Sequence, residues 1–163
     1  MGIFEVRGGK SLSGEITPQG AKNEALQIIS AVLLTDEEVI IKNIPDIIDV
    51  NLQIELLAEM QVKINRIDRH TCSFKADDVN VAYLSSKEFH KKSSRLRGSV
   101  MLAGPLLARF KKAFLPKPGG DKIGRRRLDT HIIGFEKLGA KFAYHEDGFF
   151  HLEATELKGT ALQ

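Results

Sequence analysis

Cysteine is almost absent. Cys72 stands alone in 163 residues, so no intrachain disulfide can form and no Cys-based metal site is expected. It lies in the alternating segment Thr71-Cys72-Ser73-Phe74, which reads as a strand with the thiol turned into the core. The five histidines (His70, His90, His131, His145 and His151) lack metal-ligand spacing such as HxxxH, and no metal is predicted. There is no signal-type apolar stretch at the N-terminus, and no apolar run approaches the ~18 residues that cross a bilayer. The expectation is a soluble, cytoplasmic protein with no membrane partner. Neither sign of charge dominates: Lys+Arg 24 against Asp+Glu 21 leaves +3, too little to point to nucleic acid. Aromatics make up only 7% and are not interleaved with the cations, since Phe110 and Phe114 read as core positions.

What is present suits one globular domain, by the rule of ~150 residues per domain, with 42% hydrophobic and 28% charged residues. The positive charge is uneven. The runs Lys87 to Arg97 and Lys111 to Arg127 together hold 12 of the 24 cations, a local concentration that suits an anion site. Within it lies Pro118-Gly119-Gly120-Asp121-Lys122-Ile123-Gly124-Arg125-Arg126-Arg127-Leu128-Asp129-Thr130-His131. Here a Gly-rich turn and one carboxylate precede four cations in six residues and then a helix start. A phosphorylated, acidic small molecule fits such a stretch. A solvated basic loop fits it equally on these residues alone.

Along the chain, Ile3–Arg7 and Leu12–Ile16 read as short strands. A largely apolar, buried helix is expected from about Ala25 to Leu34, then a strand at Glu38–Lys42. Asn43-Ile44-Pro45 turns the chain, and Asp46 or Asp49 can cap a helix running to about Met60. Val62–Ile67 and Cys72–Ala76 form a hairpin, and Val79–Tyr83 a further strand. A second apolar helix is expected over Arg95–Phe110, then a strand at Ala113–Leu115 and a helix from Asp129 to Leu138. A second hairpin pairs Lys141–Tyr144 with Phe149–Glu153. Leu57-Ala58-Glu59-Met60-Gln61-Val62-Lys63-Ile64 lines up with Phe135-Glu136-Lys137-Leu138-Gly139-Ala140-Lys141-Phe142 at an offset of 78 residues. The fold class is therefore α/β of the α+β kind, with two helix–strand–helix–hairpin repeats at about 21–78 and 79–155 that share a core. Glu156–Gln163 echoes Ser11–Ile16, as though a third unit were beginning, so the chain is expected to be part of something longer.

Several motifs in register carry a resemblance. Gly20-Ala21-Lys22-Asn23-Glu24-Ala25-Leu26, Asn43-Ile44-Pro45-Asp46, Arg97-Gly98-Ser99, Gly104-Pro105-Leu106-Leu107-Ala108-Arg109-Phe110, Pro118-Gly119-Gly120 and Ile123-Gly124-Arg125-Arg126 resemble the N-terminal part of the UDP-N-acetylglucosamine 1-carboxyvinyltransferases. These are enolpyruvyl transferases of the first committed step of peptidoglycan synthesis. The resemblance runs from Ile3 onward and covers less than half of a typical member. It implies two similar domains, each of three repeats about a pseudo-threefold axis, with an inverse α/β barrel-like arrangement. Residues 1–20 would then belong to the second domain and 21–163 to an incomplete first. The implied partners are phosphoenolpyruvate, UDP-N-acetylglucosamine and the missing C-terminal domain of the same chain, with no cofactor and no nucleic acid.

The implied reaction adds phosphoenolpyruvate to the sugar 3-hydroxyl and then eliminates phosphate from a tetrahedral intermediate. By resemblance, Lys22 contacts phosphoenolpyruvate and Asn23 hydrogen-bonds the substrates beside it. From the residues alone, Lys22 is a cation in a loop before a helix. Arg97 resembles an arginine that meets substrate, where its bare pattern suggests a surface ion pair. Arg126 resembles the arginine that binds substrate phosphate, and Arg127, Leu128, Asp129 and Thr130 occupy the uridine-contacting segment. Asp129 also suits a helix N-cap. This chain departs from the family's usual Arg-Pro-Val-Asp-Leu-His at Arg127 and Thr130. It departs most at Asp121, where most members carry the cysteine of a mobile loop that protonates the enolpyruvyl methylene or helps product leave, and that the epoxide antibiotic fosfomycin alkylates. An aspartate can replace that acid only if its pKa rises toward working pH. Lys122 and the three arginines favour the ionised form, whereas exclusion of water favours the protonated one. Since the family draws a further aspartate and arginines from its second domain, the isolated chain is expected to turn over negligibly. Competing readings are an enolpyruvylshikimate phosphate synthase, whose usual Gly-Asp-Lys-Ser is absent, a basic nucleic-acid-binding module, and a purely structural repeat domain.

Overall fold

The computed structural model describes residues 2–115, 127–144 and 149–161. Helix α1 (Lys22–Ala31) buries Ala25, Leu26, Ile29 and Ser30, one stripe at helical spacing, and a 3₁₀ turn at Val32–Leu34 prolongs it. The expected burial on nearly every side is not found, because Ile28 and Leu34 are 44% and 53% exposed. Strand β1 (Glu38–Ile41) follows, then α2 (Ile48–Glu59), β2 (Lys63–Asp68) and β3 (Thr71–Lys75). The second repeat opens with a 3₁₀ turn at Arg97–Leu102 and α4 (Ala103–Phe110), followed by β4 (Lys112–Leu115), α5 (Asp129–Lys137), β5 (Lys141–Tyr144) and β6 (Phe150–Glu153). Between the repeats stands a short helix, α3 (Lys87–Ser93).

The 78-residue offset holds in the hydrogen bonds themselves. At the end of α2, Gln61 N–H donates to Ala58 O (3.0 Å) and Val62 N–H to Leu57 O (3.1 Å). At the end of α5, Gly139 N–H donates to Glu136 O and Ala140 N–H to Phe135 O, both at 2.9 Å. Both pairs form the paired closure of a Schellman motif, which needs a left-handed residue. Gln61 (φ 68°) and Gly139 (φ 99°) supply it. After each hairpin the chain returns to the same place: Asn80 N–H bonds Met60 O and Lys158 N–H bonds Leu138 O, both at 2.9 Å.

Each repeat builds a three-stranded antiparallel sheet with its last strand central, ordered β1-β3-β2 and β4-β6-β5. Phe74 on β3 sits between Val39 and Ile64, and Leu152 on β6 between Ala113 and Phe142. Phe74 and Leu152 are fully buried, and the two repeats share one apolar core. Cys72 is buried in β3 as expected, and burial pushes its thiol pKa up.

Several local expectations are overturned. The stretches 3–7 and 12–16 are not strands. Residues 2–20 have no strand partner among the described residues, and Ile3, Phe4, Val6, Leu12 and Ile16 are each at least 90% exposed. A strand needs a neighbour for its N–H and C=O groups. Val79–Tyr83 is replaced by a 3₁₀ turn at Val81–Ser85, because the Asn80 side chain accepts from Tyr83 N–H (3.3 Å) and draws the backbone round. The helix over Arg95–Phe110 is divided. Pro105, having no N–H, fits only the first turn of a helix, so α4 begins at Ala103. Neither Asp46 nor Asp49 caps α2, whose N-cap is Ile47, and Asp129 is the first residue of α5, with Leu128 in the cap position.

Candidate functional site

A cleft of about 320 Å³ opens between the start of α1 and the start of the second repeat, lined by Lys22, Asn23, Asp49, Arg97, Leu128 and His131 among others. Two glycines fix its walls. A Cβ on Gly20 would lie 2.0 Å from the carbonyl oxygen of Asn43, so only glycine lets the chain enter α1 against that turn. Lys22 and Asn23 then fall on the first turn of α1, whose N-cap residue, Ala21, makes no side-chain cap bond. On the facing wall, Gly98 lies against Leu26, and a Cβ there would come 2.7 Å from Leu26 Cδ1. The turn carrying Arg97 is pinned from inside: the buried Ser99 Oγ–H meets the carbonyls of Ser93 (2.8 Å) and Leu96 (2.7 Å). Backbones thus approach closely enough for cations of two different repeats to share one hollow.

The third edge of the cleft belongs to α2. The turn before it is tied to the β2–β3 hairpin, because Ile44 N–H donates to His70 O and the His70 ring donates from Nδ1 to Ile44 O, both at 2.8 Å. Asp46 accepts from Asn51 (3.0 Å) and from Arg69 (3.1 Å), and these two hydrogen bonds hold its carboxyl below the ordinary value. Asp49, in the first turn of α2, forms an ion pair with Lys22.

The structure therefore brings together Lys22, Asn23, Arg97 and Leu128 of the residues singled out in the sequence. Leu128 is buried and closes the cleft as an apolar floor. Arg127 and Asp129 are not among the lining residues. They pair with each other at 3.5 Å on the surface, and Thr130 is exposed on α5 beside them. Asp121 and Arg126 lie outside the described residues. Asp49 and His131 were missed as site residues. From sequence Asp49 suits a helix cap, and no sequence spacing brings a carboxylate 27 residues downstream onto Lys22. Chemically, two cations and the positive end of α1 can hold an anionic ligand, and Leu128 with Met101 offers it an apolar edge. Among the described residues no group of three or more His, Cys, Asp or Glu is arranged to hold a metal ion, and no helix is long and apolar enough to cross a membrane.

Two helix–strand repeats around one core, with a cationic cleft between them, define the class. The family model for EPSP synthase (3-phosphoshikimate 1-carboxyvinyltransferase) matches residues 6–163, and the chain belongs to that family. Within it, the chain is 59% identical over 161 residues to the UDP-N-acetylglucosamine 1-carboxyvinyltransferase of Porphyromonas gingivalis, covering 98% of this chain and 37% of that protein. It is 58% identical over 163 residues to the enzyme of the same name from Bacteroides fragilis, covering 99% of this chain and 38% of that one. These relatives bear out the resemblance drawn from the motifs, and the chain spans well under half of their length. The fold is likewise that of solved enolpyruvyl transferases. NikO from Streptomyces tendae superposes with TM-score 0.73 at 22% identity, covering 93% of this chain and 32% of NikO. EPSP synthase from Acinetobacter baumannii gives 0.63 at 15%, covering 90% of this chain and 33% of that one.

Proposed function

We propose that this chain is the N-terminal part of an enzyme that transfers the enolpyruvyl group of phosphoenolpyruvate to the 3-hydroxyl of UDP-N-acetylglucosamine, releasing phosphate, in cytoplasmic peptidoglycan synthesis. The observation that carries this reading is the meeting of Lys22 and Asn23 from one repeat with Arg97 from the other in a single cleft. Phosphoenolpyruvate and a nucleotide diphosphate bring several negative charges into one place, and preorganised cations are what such substrates need. In this reading Lys22 and Arg97 take the substrate anions, Asn23 hydrogen-bonds beside them, and Arg126 binds phosphate. Leu128 faces the uridine, flanked by Arg127, Asp129 and Thr130. Asp121 supplies the proton to the methylene. The addition forms a C–O bond at C2 of phosphoenolpyruvate as the hydroxyl gives up its proton and the methylene gains one. Elimination breaks the C2 bond to phosphate while the new methyl loses a proton, which restores the double bond.

Residues 1–20 are assigned to the second domain. Their exposed Ile3, Phe4, Val6, Leu12 and Ile16 support this, because an apolar, strand-patterned segment with no strand partner among the described residues is what an edge awaiting another domain looks like. The opposing wall of the cleft then comes from the remainder of the enzyme.

The test is phosphate release by the full-length protein. Turnover is expected with phosphoenolpyruvate and UDP-N-acetylglucosamine, and negligible turnover from residues 1–163 alone. Full-length protein that is inactive with this pair but active with shikimate 3-phosphate would replace the reading with that of the family's other named activity.

A further inference from the structure

Lys22 occupies an awkward place. It is a cation in the first turn of α1, where the helix dipole presents its positive end and disfavours another positive charge. Its partner is Asp49, in the first turn of α2, a position that favours a carboxylate for the same reason. The two side chains remain 48% and 36% exposed, and exposed pairs contribute little to stability. The pair is thus poorly explained as a stabilising contact. What it does is fix a place. Lys22 and Asp49 line both the 320 Å³ cleft and a neighbouring hollow of about 530 Å³ on the other side, so the ion pair forms the partition between them. Asp49 is itself held. The turn before α2 is clamped to His70 through Ile44, and Asp46 is bonded by Asn51 and Arg69. Arg66 steadies Asn51 in turn, donating to its Oδ1 at 3.1 Å.

We propose that Asp49 is a positioning residue for the enolpyruvyl-transfer site: it holds the Lys22 ammonium at the mouth of the cleft so that an incoming phosphoenolpyruvate meets a placed cation and not a mobile one. This rests on the transfer reading above. A long, flexible lysine confers orientation only if another group removes its freedom, and misplacement by about 1 Å costs on the order of a hundredfold in rate. The alternative is that Asp49 merely competes with the substrate anion for Lys22. The two differ in sign, because removing a competitor tightens binding, whereas removing a holder weakens it.

The experiment is steady-state kinetics and phosphoenolpyruvate binding by calorimetry on the full-length protein, with Asp49→Asn, Asp49→Glu, Lys22→Ala and the double variant. Asp49→Ser serves as a second neutral variant should Asn disturb the first turn of α2. Asp49→Asn is expected to lower kcat/KM for phosphoenolpyruvate by about tenfold to a hundredfold with an unchanged thermal midpoint. Asp49→Glu should recover part of the loss. In the Lys22→Ala background, Asp49→Asn should add nothing further, since Asp49 acts through Lys22. Wild-type kcat/KM in Asp49→Asn, tighter phosphoenolpyruvate binding, or a loss that simply adds to that of Lys22→Ala would each overturn the positioning role. Unimpaired turnover in Lys22→Ala would instead remove the transfer reading at this cleft, and the positioning role with it.

Discussion

Arg109 of the second repeat donates from Nη1 to the carbonyl of Ala76, at 2.8 Å, just past the central strand of the first repeat's sheet. The same nitrogen also reaches the carbonyls of Leu33 (3.0 Å) and Thr35 (2.9 Å) at the end of the first repeat's opening helix, so two hydrogens serve three acceptors. The guanidinium further lies over the Phe110 ring, 5.0 Å from its centroid. One side chain thus joins three places in one repeat to the helix of the other.

Arg109→Ala leaves half-buried carbonyls without their charged donor, and each such loss costs roughly 1–3 kcal/mol. A total of about 2–4 kcal/mol is expected, allowing for water reaching some of the acceptors. Arg109→Lys should recover only part, because an ammonium cannot reproduce the flat, delocalised fork. Chemical denaturation of the full-length protein reads both. Equal stability of Arg109→Ala and wild type would show that the repeats do not depend on this latch.

The repeat was legible because it is written in apolar spacing and turn chemistry, both local. Phe135 to Phe142 answers Leu57 to Ile64 residue for residue, and the matching hydrogen bonds follow from that. Helix α3 was not legible. Only Phe89 and Ser93 of it are buried, too few to show a period, although Ser86 caps it by accepting from Phe89 N–H at 3.0 Å. In the site, glycines and cations could be picked out by their motifs, but the Lys22–Asp49 contact depends on how two helices meet. Nothing in either segment encodes that.

The αL position shared by Gln61 and Gly139 predicts opposite responses to exchange. Gln61→Gly relieves a side chain held at φ 68°, and should stabilise by about 0.5–1 kcal/mol once the extra freedom of the unfolded chain is set against the relief. Gly139→Ala places a Cβ at φ 99°, 3.3 Å from Glu156 O, and should destabilise by about 1–2 kcal/mol. Denaturant midpoints test both, and a destabilising Gln61→Gly would contradict the shared geometry.

Glu59 ties α2 to the segment between the repeats by accepting from both Tyr83 and Lys92. Burial works to raise its pKa, but the hydrogen bonds from Lys92 and Tyr83 outweigh it and hold the carboxyl below its ordinary value. A carboxyl depressed in the fold contributes stability above its unfolded pKa that is lost as pH falls through the folded one. Tyr83 is raised from 10.0 to about 12, first by burial and then by the Glu59 acceptor. Its contribution is complete below pH 10 and is lost as pH climbs toward 12. Tyr83→Phe should therefore flatten the alkaline limb of the stability profile between those values and leave the part carried by Lys92 and Lys63, which Glu59 and Asp77 raise, in place. An unchanged limb in thermal melts across that range would refute the assignment.

With aspartate at 121, residues 116–126 offer no thiolate, and a carboxylate is a far weaker nucleophile toward an epoxide. Incubation of the full-length enzyme with fosfomycin is expected to give no covalent adduct by mass spectrometry, and a stoichiometric adduct within 116–126 would contradict this. If Asp121 delivers the proton, Asp121→Asn removes that acidic hydrogen, and kcat should fall by about the 10²–10⁴-fold typical of a lost general acid. Asp121→Cys should keep much more activity, since a thiol can give the same proton, and it should also render the enzyme open to alkylation. Near-complete loss in both variants would leave proton delivery to another group.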